Sequence, residues 1–157
     1  MTDITAFPTI SKVLDSGNNI INLTATNAIT AGMVVEIDAT GVSGAVNAAV
    51  LESGSMPIGV AIYSAAAGAQ VAIATVGCVC YVANADDTAE IDAGSWVECN
   101  DNAVGGTVSA VAVAAISGAV GTGHNSVIGV ALDDIPVSST GRILILGPQC
   151  VVQLNNA

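Results

Sequence analysis

Few residues in this chain have types and spacing that could do chemistry. His124 is the single histidine, and it stands in the segment Gly121-Thr-Gly-His-Asn125. An imidazole metal site would need a second histidine, and a serine-type triad would rest on this one loop residue. A solvated loop histidine accounts for it more simply. The pairs Asp86-Asp87 and Asp133-Asp134 are adjacent in sequence, the usual make-up of an acidic turn, and the second pair closes a strand as a solvated strand end. Calcium takes hard oxygen ligands, which Asp86, Asp87, Glu90 and Asp92 could supply, but no D-x-D-x-D-G loop accompanies them. Glu36 and Glu98 follow Val-Val and Trp-Val, so each is expected to face away from the core as a surface acid. Cys78 and Cys80 leave one strand on the same face, too far apart for good disulfide geometry. Cys99 and Cys150 stand alone, and C-x-C without histidine or a C-x-x-C partner is a poor zinc signal. All four are expected to act as small buried hydrophobes. Gly105-Gly106 and Gly121-x-Gly123 lack the helix and lysine of a phosphate-cradling loop. The inventory points to a non-enzyme with no metal or other cofactor, hence to a structural role.

Alternating β-branched and small residues, broken by glycine, must position whatever function remains. The expected strands are Ile20–Thr26, Met33–Ile37, Gly59–Ser64, Gln70–Val82, Ser95–Asn100, Thr107–Ile116, Val127–Leu132, Arg142–Leu146 and Cys150–Leu154. Turn chemistry separates them at Ala39-Thr-Gly41, Ser53-Gly-Ser55, Asn84–Asp87, Asn100-Asp-Asn102, Gly121-Thr-Gly123 and Ser138–Gly141. Helix signals are confined to one possible turn at Ser64–Gly68 and an Ala-rich stretch at 108–120. The pattern predicts an all-β barrel or sandwich of eight to ten short strands.

Composition sets further limits. The 157 residues are 52% hydrophobic and 10% charged, and 13 acids oppose only Lys12 and Arg142, a net charge of −11. Folding at this size hides roughly two-thirds of the chain's surface, enough for one domain with a real core. Two cations cannot displace phosphate counterions, so nucleic acid is excluded as a partner, and an anionic membrane surface is disfavoured for the same reason. No run reaches the 18 or so apolar residues of a membrane helix. The segment MTDITAFPTISKVLDSG has neither a basic n-region nor an apolar h-region, so a protein made in a cytoplasm is expected. A surface with so few charges presents Ser, Thr, Asn and Gly to water, or is covered by copies of itself.

An internal repeat organises the chain. Ala31-Gly-Met-Val-Val-Glu-Ile-Asp38 matches Ala93-Gly-Ser-Trp-Val-Glu-Cys-Asn100 at an offset of 62, and Ile58-Gly-Val-Ala61 matches Ile128-Gly-Val-Ala131 at an offset of 70. The second offset also carries Ile73 onto Ile143, Gly77 onto Gly147 and Cys80 onto Cys150. The 8-residue difference fits a longer loop around Ala115–Asn125. Two related β-units, about 29–82 and 91–151, are therefore expected within a single β domain at 20–157, preceded by a segment at 1–19. A glycine inside a strand marks a bulge, a corner or a close backbone approach, so I-G-V-A suggests one corner built twice. Trp96 is either a core filler or an interface anchor.

The early A-G-x-x-V (Ala31–Val35), the late V-I-G-V-A-L (Val127–Leu132) and the closing G-R-I-L-I-L (Gly141–Leu146) resemble the tailed-bacteriophage capsid decoration, or cement, proteins. The likeness spans roughly residues 20–147; position 33 is Met where those chains usually carry an acid. The resemblance implies a β-rich, non-enzymatic homotrimer on the outer surface of an expanded icosahedral shell, assembled in the host cytoplasm. Its partner there is the major capsid protein, clamped against the outward push of packaged DNA. Residues 1–19 fit the extended capsid-binding arm of some such families. Phe7, Pro8, Thr9 and Ile10 form an apolar stretch in which Pro8 opposes helix, Lys12 adds a cation, and an extended segment can join a partner's sheet edge. The alternative is a frayed terminus. A second class of function is a head-fibre or adhesin-like module that binds a host glycan or protein. A third is a hydrolase resting on Asp and His124.

Overall fold

The computed structural model describes residues 19–38, 44–48, 57–84, 89–99, 105–111 and 126–150. Regular structure among them is entirely β. Strands β1 (Ile20–Ala25), β2 (Val34–Ile37), β3 (Ala45–Ala48), β4 (Pro57–Ala61) and β5 (Gln70–Ala74) close a barrel in the order β1-β3-β2-β4-β5. Strands β6 (Val79–Ala83), β7 (Trp96–Cys99), β8 (Val108–Ala110), β9 (Ser126–Ala131) and β10 (Thr140–Cys150) form a second sheet in the order β6-β10-β9-β7-β8.

The second sheet repeats the first, pair by pair. Val34↔Val60, Val35↔Gly59 and Glu36↔Pro57 recur as Trp96↔Val130, Val97↔Gly129 and Glu98↔Val127, with the register shift at the same place. Val60↔Ala74 and Ala61↔Ile73 recur as Val130↔Leu144 and Ala131↔Ile143. Ile21↔Ile73 recurs as Cys80↔Ile143, so β1 and β6 are counterparts. The bridge Ile29↔Ala65 recurs as Ile91↔Ile135. In the first unit the parallel pairing of β1 with β3 closes the barrel through Thr24↔Ala45 and Ala25↔Val46. Among the described residues the second unit is a sheet without a closing ladder. Its edge strands β6 and β8 are brought together by the isolated parallel bridge Asn84↔Val108, which stands for Ala25↔Val46, and this bridge-closed sheet is the second barrel. Two copies of one five-stranded unit, β1–β5 and β6–β10, are thus joined, among the described residues, at the turn Thr75–Cys78. Their bounds differ from the halves 29–82 and 91–151 expected from the motifs, because β6 opens the second unit instead of closing the first, and Cys80 is thereby the counterpart of Ile21, not of Cys150. Some loop contacts recur with different chemistry: Ala31 N–H donates to Ser64 Oγ at 3.0 Å, and its counterpart Ala93 N–H donates to Asp134 Oδ1 at 2.9 Å.

The glycines of I-G-V-A sit where the repeat requires them. A Cβ on Gly59 would lie 2.1 Å from the carbonyl oxygen of Ala74, and one on Gly129 would lie 2.1 Å from that of Leu144. Each glycine adjoins the bulge that places Ile58 or Ile128 as the extra residue opposite β2 or β7. The corner expected from the sequence is thus a bulge and a close approach together.

Several strand boundaries differ from those expected. Gln70–Val82 divides into β5 and β6, because Gly77 at φ +88° turns the chain between them. Arg142–Leu146 and Cys150 belong to one strand, β10, which carries extra residues between Ile145 and Gln149 opposite β9. Strand β3 was not anticipated; its sequence AVNA has a single β-branched residue. Of Thr107–Ile116, Val108–Ala110 is strand, and residues 112–116 lie outside the described residues, as do 151–154 and the expected loop at 115–125.

The apolar interior forms two clusters instead of one. Ala25, Ile29, Val35, Val46, Ala61, Val71 and Ile73 fill the first barrel. Their counterparts Ile91, Val97, Val108, Ala131 and Ile143 fill the second, but that cluster continues into Val34, Val60, Ile62 and Ala74 of the first unit.

Candidate interaction surface

The sequence-derived candidates are not gathered at one place. Phe7, Pro8, Thr9, Ile10 and Lys12, together with His124, Asp86 and Asp87, lie outside the described residues. Glu90 and Asp92 are exposed, and among the described residues no three His, Cys, Asp or Glu side chains come together as a metal site. Cys78, Cys80 and Cys99 are buried free thiols. Burial pushes the Cys80 thiol up to about 12, with Cys78 adding to the effect. Burial, and then the negative charges of Glu36 and Glu98, push Cys99 up to about 12. Such thiols are inert fillers at neutral pH.

Two acidic features depart from expectation. Asp133 and Asp134 do more than end a strand. Asp133 takes a two-point hydrogen-bonded ion pair from Arg142, with Nε at 2.7 Å from Oδ2, and also accepts from the Arg142 backbone N–H at 3.2 Å. The Arg142 side-chain hydrogen bond holds the Asp133 carboxyl below its ordinary range. Glu36 points away from its own barrel, as expected, yet it is only 6% exposed. Val34, on the same face of β2, packs with residues of the second unit, and the Glu36 charge is felt at Cys99 there.

That covering is the junction between the units. Val34, Val60 and Ala74 are register partners across β2, β4 and β5, so they share the outer side of the first barrel. They pack in one cluster with Cys78, Cys99, Ile128 and Ile145 of the second unit. Ile145 and Cys99 follow the inward-facing Ile143 and Val97 by two residues, so on the alternation of a strand they line the end of the second barrel. Val34 N–H donates to Gly106 O at 2.9 Å. A Cβ on Gly106 would lie 2.7 Å from that of Met33, so the β7–β8 connection rests directly on the start of β2. The side of barrel one plugs the end of barrel two.

Pseudo-symmetry shows what this leaves uncovered. The side positions buried in unit one, Val34, Val60, Ile62 and Ala74, correspond to Trp96, Val130, Leu132 and Leu144 in unit two. There Trp96 is 44% and Leu132 41% exposed, and the other two are half-buried. The end positions buried in unit two, Cys80, Cys99, Gly106, Ile128 and Ile145, correspond to Ile21, Ile37, Gly44, Ile58 and the half-buried Thr75 in unit one, and Cys78 of the joining turn corresponds to the exposed Asn19. In unit one Ile21 is 41% and Ile37 40% exposed, Gly44 is exposed and Ile58 half-buried. Trp96 thus lies on the open side of barrel two. The signal for the rest was present in the repeat: Val34 becomes Trp96, Ile62 becomes Leu132 and Ala74 becomes Leu144, so bulk is not lost where cover is. Tyr63 is also exposed and Tyr81 half-buried.

No family model matches the chain, and no curated protein matches it in sequence. Among solved structures it is similar to the head fiber gp8.5 N base of bacteriophage phi29, with a TM-score of 0.55 and 15% sequence identity over 83% of this chain and 96% of that one. At that identity the likeness is one of fold.

Proposed function

We propose that this chain is a non-enzymatic structural protein of a tailed-phage head, a decoration or cement protein that binds the outer surface of the icosahedral capsid as a homotrimer and stabilises it. The observation that carries this reading is the fold likeness, nearly end to end, to a phage head fiber base. The motif resemblance to capsid decoration proteins points the same way. The major capsid protein is the partner and the virion the location. Weak contacts repeated over many equivalent sites hold a shell by avidity. A net charge of −11 keeps such a protein from sticking to DNA. Phe7 to Ile10 and Lys12 serve as the attachment arm.

A second reading is favoured by the same neighbour being a fiber component: the chain is the base of a head fibre or an adhesin-like module for a host glycan or protein. Mixing the purified protein with empty expanded capsids separates the two. Decoration predicts saturable co-sedimentation and a higher melting temperature of the capsid. Co-sedimentation without capsid stabilisation favours the fibre base, and no co-sedimentation overturns both. Deleting residues 1–12 should abolish attachment and leave the fold intact; undiminished binding by the truncated protein would remove the arm from the proposal.

A further inference from the structure

We infer that a second copy of this chain seats the open end of its first barrel on the open side of the second barrel of its neighbour, repeating between chains the junction that already exists within one. The inference rests on the homo-oligomer of the proposed function and specifies how it is built.

Burial is asymmetric across a fold whose pairing is symmetric. Two units with the same pairing register would bury the same positions if each stood alone. Instead the outer-side residues are buried in unit one and exposed or half-buried in unit two, while the barrel-end residues are buried in unit two and exposed or half-buried in unit one. A contact that uses a different patch on each partner is heterologous, and it leaves one unused copy of each patch at opposite ends of the pair. The side patch keeps its apolar character through Trp96, Val130, Leu132 and Leu144. The end patch keeps Ile21, Ile37 and Ile58, while Thr75 and Asn19 stand in place of Ile145 and Cys78, with their side chains hydrogen-bonded to Asn19 O and Val76 O respectively. Isolated exposed hydrophobes need no explanation, but two sets that are counterparts of an existing packed junction do. A second copy is therefore the occupant whose complementary surface is already present in the fold.

The contacts expected between chains follow from those within one. Met33 against Gly106 becomes Ser95 against Gly44, and the hydrogen bond from Val34 N–H to Gly106 O becomes one from Trp96 N–H to Gly44 O of the next chain. Arg142 and Asp133 stand where unit one has Ala72 and Tyr63. Their mutual pairing leaves no uncompensated charge from this pair beside the apolar patch. Heterologous contacts close into a ring or run on as a filament according to the rotation per step. In the trimer proposed above, six barrels make one ring.

The test is complementation. Trp96→Glu disables the side face and leaves the end face; Ile37→Glu does the reverse. Both positions are exposed, so both variants should fold, which circular dichroism verifies. By light scattering coupled to size exclusion, the wild-type chain should be an oligomer and each variant alone a monomer. An equimolar mixture of the two should give a two-chain species, because one good side and one good end remain. Val137→Glu, at an exposed position outside both patches, should leave the wild-type mass unchanged. A monomeric wild-type chain at 100 μM protein overturns the inference. So does an oligomer untouched by either variant, or a mixture that stays monomeric, which would mean that the contact pairs like with like. A photo-crosslinking residue in place of Trp96, in isotope-mixed samples, should label the Ile37 and Gly44 region of another chain. Labelling of the same chain would show that the chain covers its own face and would also overturn it. Capsid binding is measured separately, so oligomers of this form that fail to bind capsids refute the head-protein reading and leave this one standing.

Discussion

Adding a single methyl group to Gly129 should cost this protein several degrees of melting temperature. The added Cβ would lie 2.1 Å from Leu144 O and 3.0 Å from Leu144 C. A carbon and an oxygen ordinarily approach to about 3.3 Å, so β9 and β10 must separate there by roughly 1 Å. The contact is to backbone on both sides, and no rotamer change can absorb it. Overpacking of this kind costs about 1–3 kcal/mol, and a ladder hydrogen bond stretched by that displacement adds about 1 kcal/mol. Taking about 3 kcal/mol in total, the melting temperature of a domain this size falls by roughly 6–12 °C. Gly59→Ala meets Ala74 O at 2.1 Å and Ile73 Cγ2 at 2.7 Å, so it should fall by a similar amount. Gly68→Ala is the control: its φ is +79° and nothing lies within 4 Å of the added carbon, so only the left-handed conformation is penalised, at about 1 kcal/mol. The measurement is thermal unfolding of the full chain by calorimetry at one fixed protein concentration, since self-association would add its own stabilisation. Gly59→Ala and Gly129→Ala within 2 °C of the wild type would refute the close approach. A large effect at one position and none at the other would refute the equivalence of the two corners.

Ser138, at φ +60°, occupies the position of Gly68 in the second unit, so Ser138→Gly should stabilise the protein by about 0.5 kcal/mol, the strain relieved less the entropy a glycine loses; a lower melting temperature would contradict this. The buried Asn84 donates from its side-chain amide to Ala89 O at 3.0 Å and Ile135 O at 3.1 Å, and Asn84→Ala should cost about 2–3 kcal/mol in urea unfolding, where an unchanged midpoint would count against it. Cys80 and Cys99 should resist a thiol reagent at pH 8 until denaturant is added, and fast labelling of the native protein would refute their burial. Because their thiols are pushed up to about 12 in the fold while unfolded thiols ionise near 8.5, the unfolded state binds fewer protons between those values. Stability should therefore be undiminished below pH 8.5 and fall as pH rises toward 12, as measured by denaturant midpoints across that range. Asp133 works in the opposite sense: held low by Arg142, it supports the fold above the ordinary carboxylate range and loses that support as pH falls through its lowered pKa, visible as a low-pH NMR titration of its carboxyl carbon.

The repeat was legible because its two motifs fall on the strands that carry the bulge. A-G-x-x-V-E marks β2 and β7, I-G-V-A marks β4 and β9, and steric demand at Gly59 and Gly129 preserves the letter as well as the shape. Strands β1 and β6 are also counterparts, yet IINLTA and VCYVA share little, because a strand ladder constrains side-chain size and direction far more loosely than a glycine corner does. The turn at Gly77 was hidden inside a run of β-branched residues. Glu36 shows a different limit. Alternation along β2 gave its direction correctly, but whether that direction leads to water depends on how the two units meet, which strand periodicity does not encode. Trp96 was marked by its type alone, and its role became specific only when the register set it against Val34.

The two barrels are not fastened equally. The first closes through a pair of residues on each strand, the second, among the described residues, through the bridge Asn84↔Val108. A sheet held along four of its edges by ladders and along the fifth by a bridge has a seam. Amide protons of β6 and β8 beside that seam should exchange with solvent through local opening that leaves the rest of the molecule folded, while those of β4 and β9, enclosed between neighbours and packed at the junction, should exchange only on global unfolding.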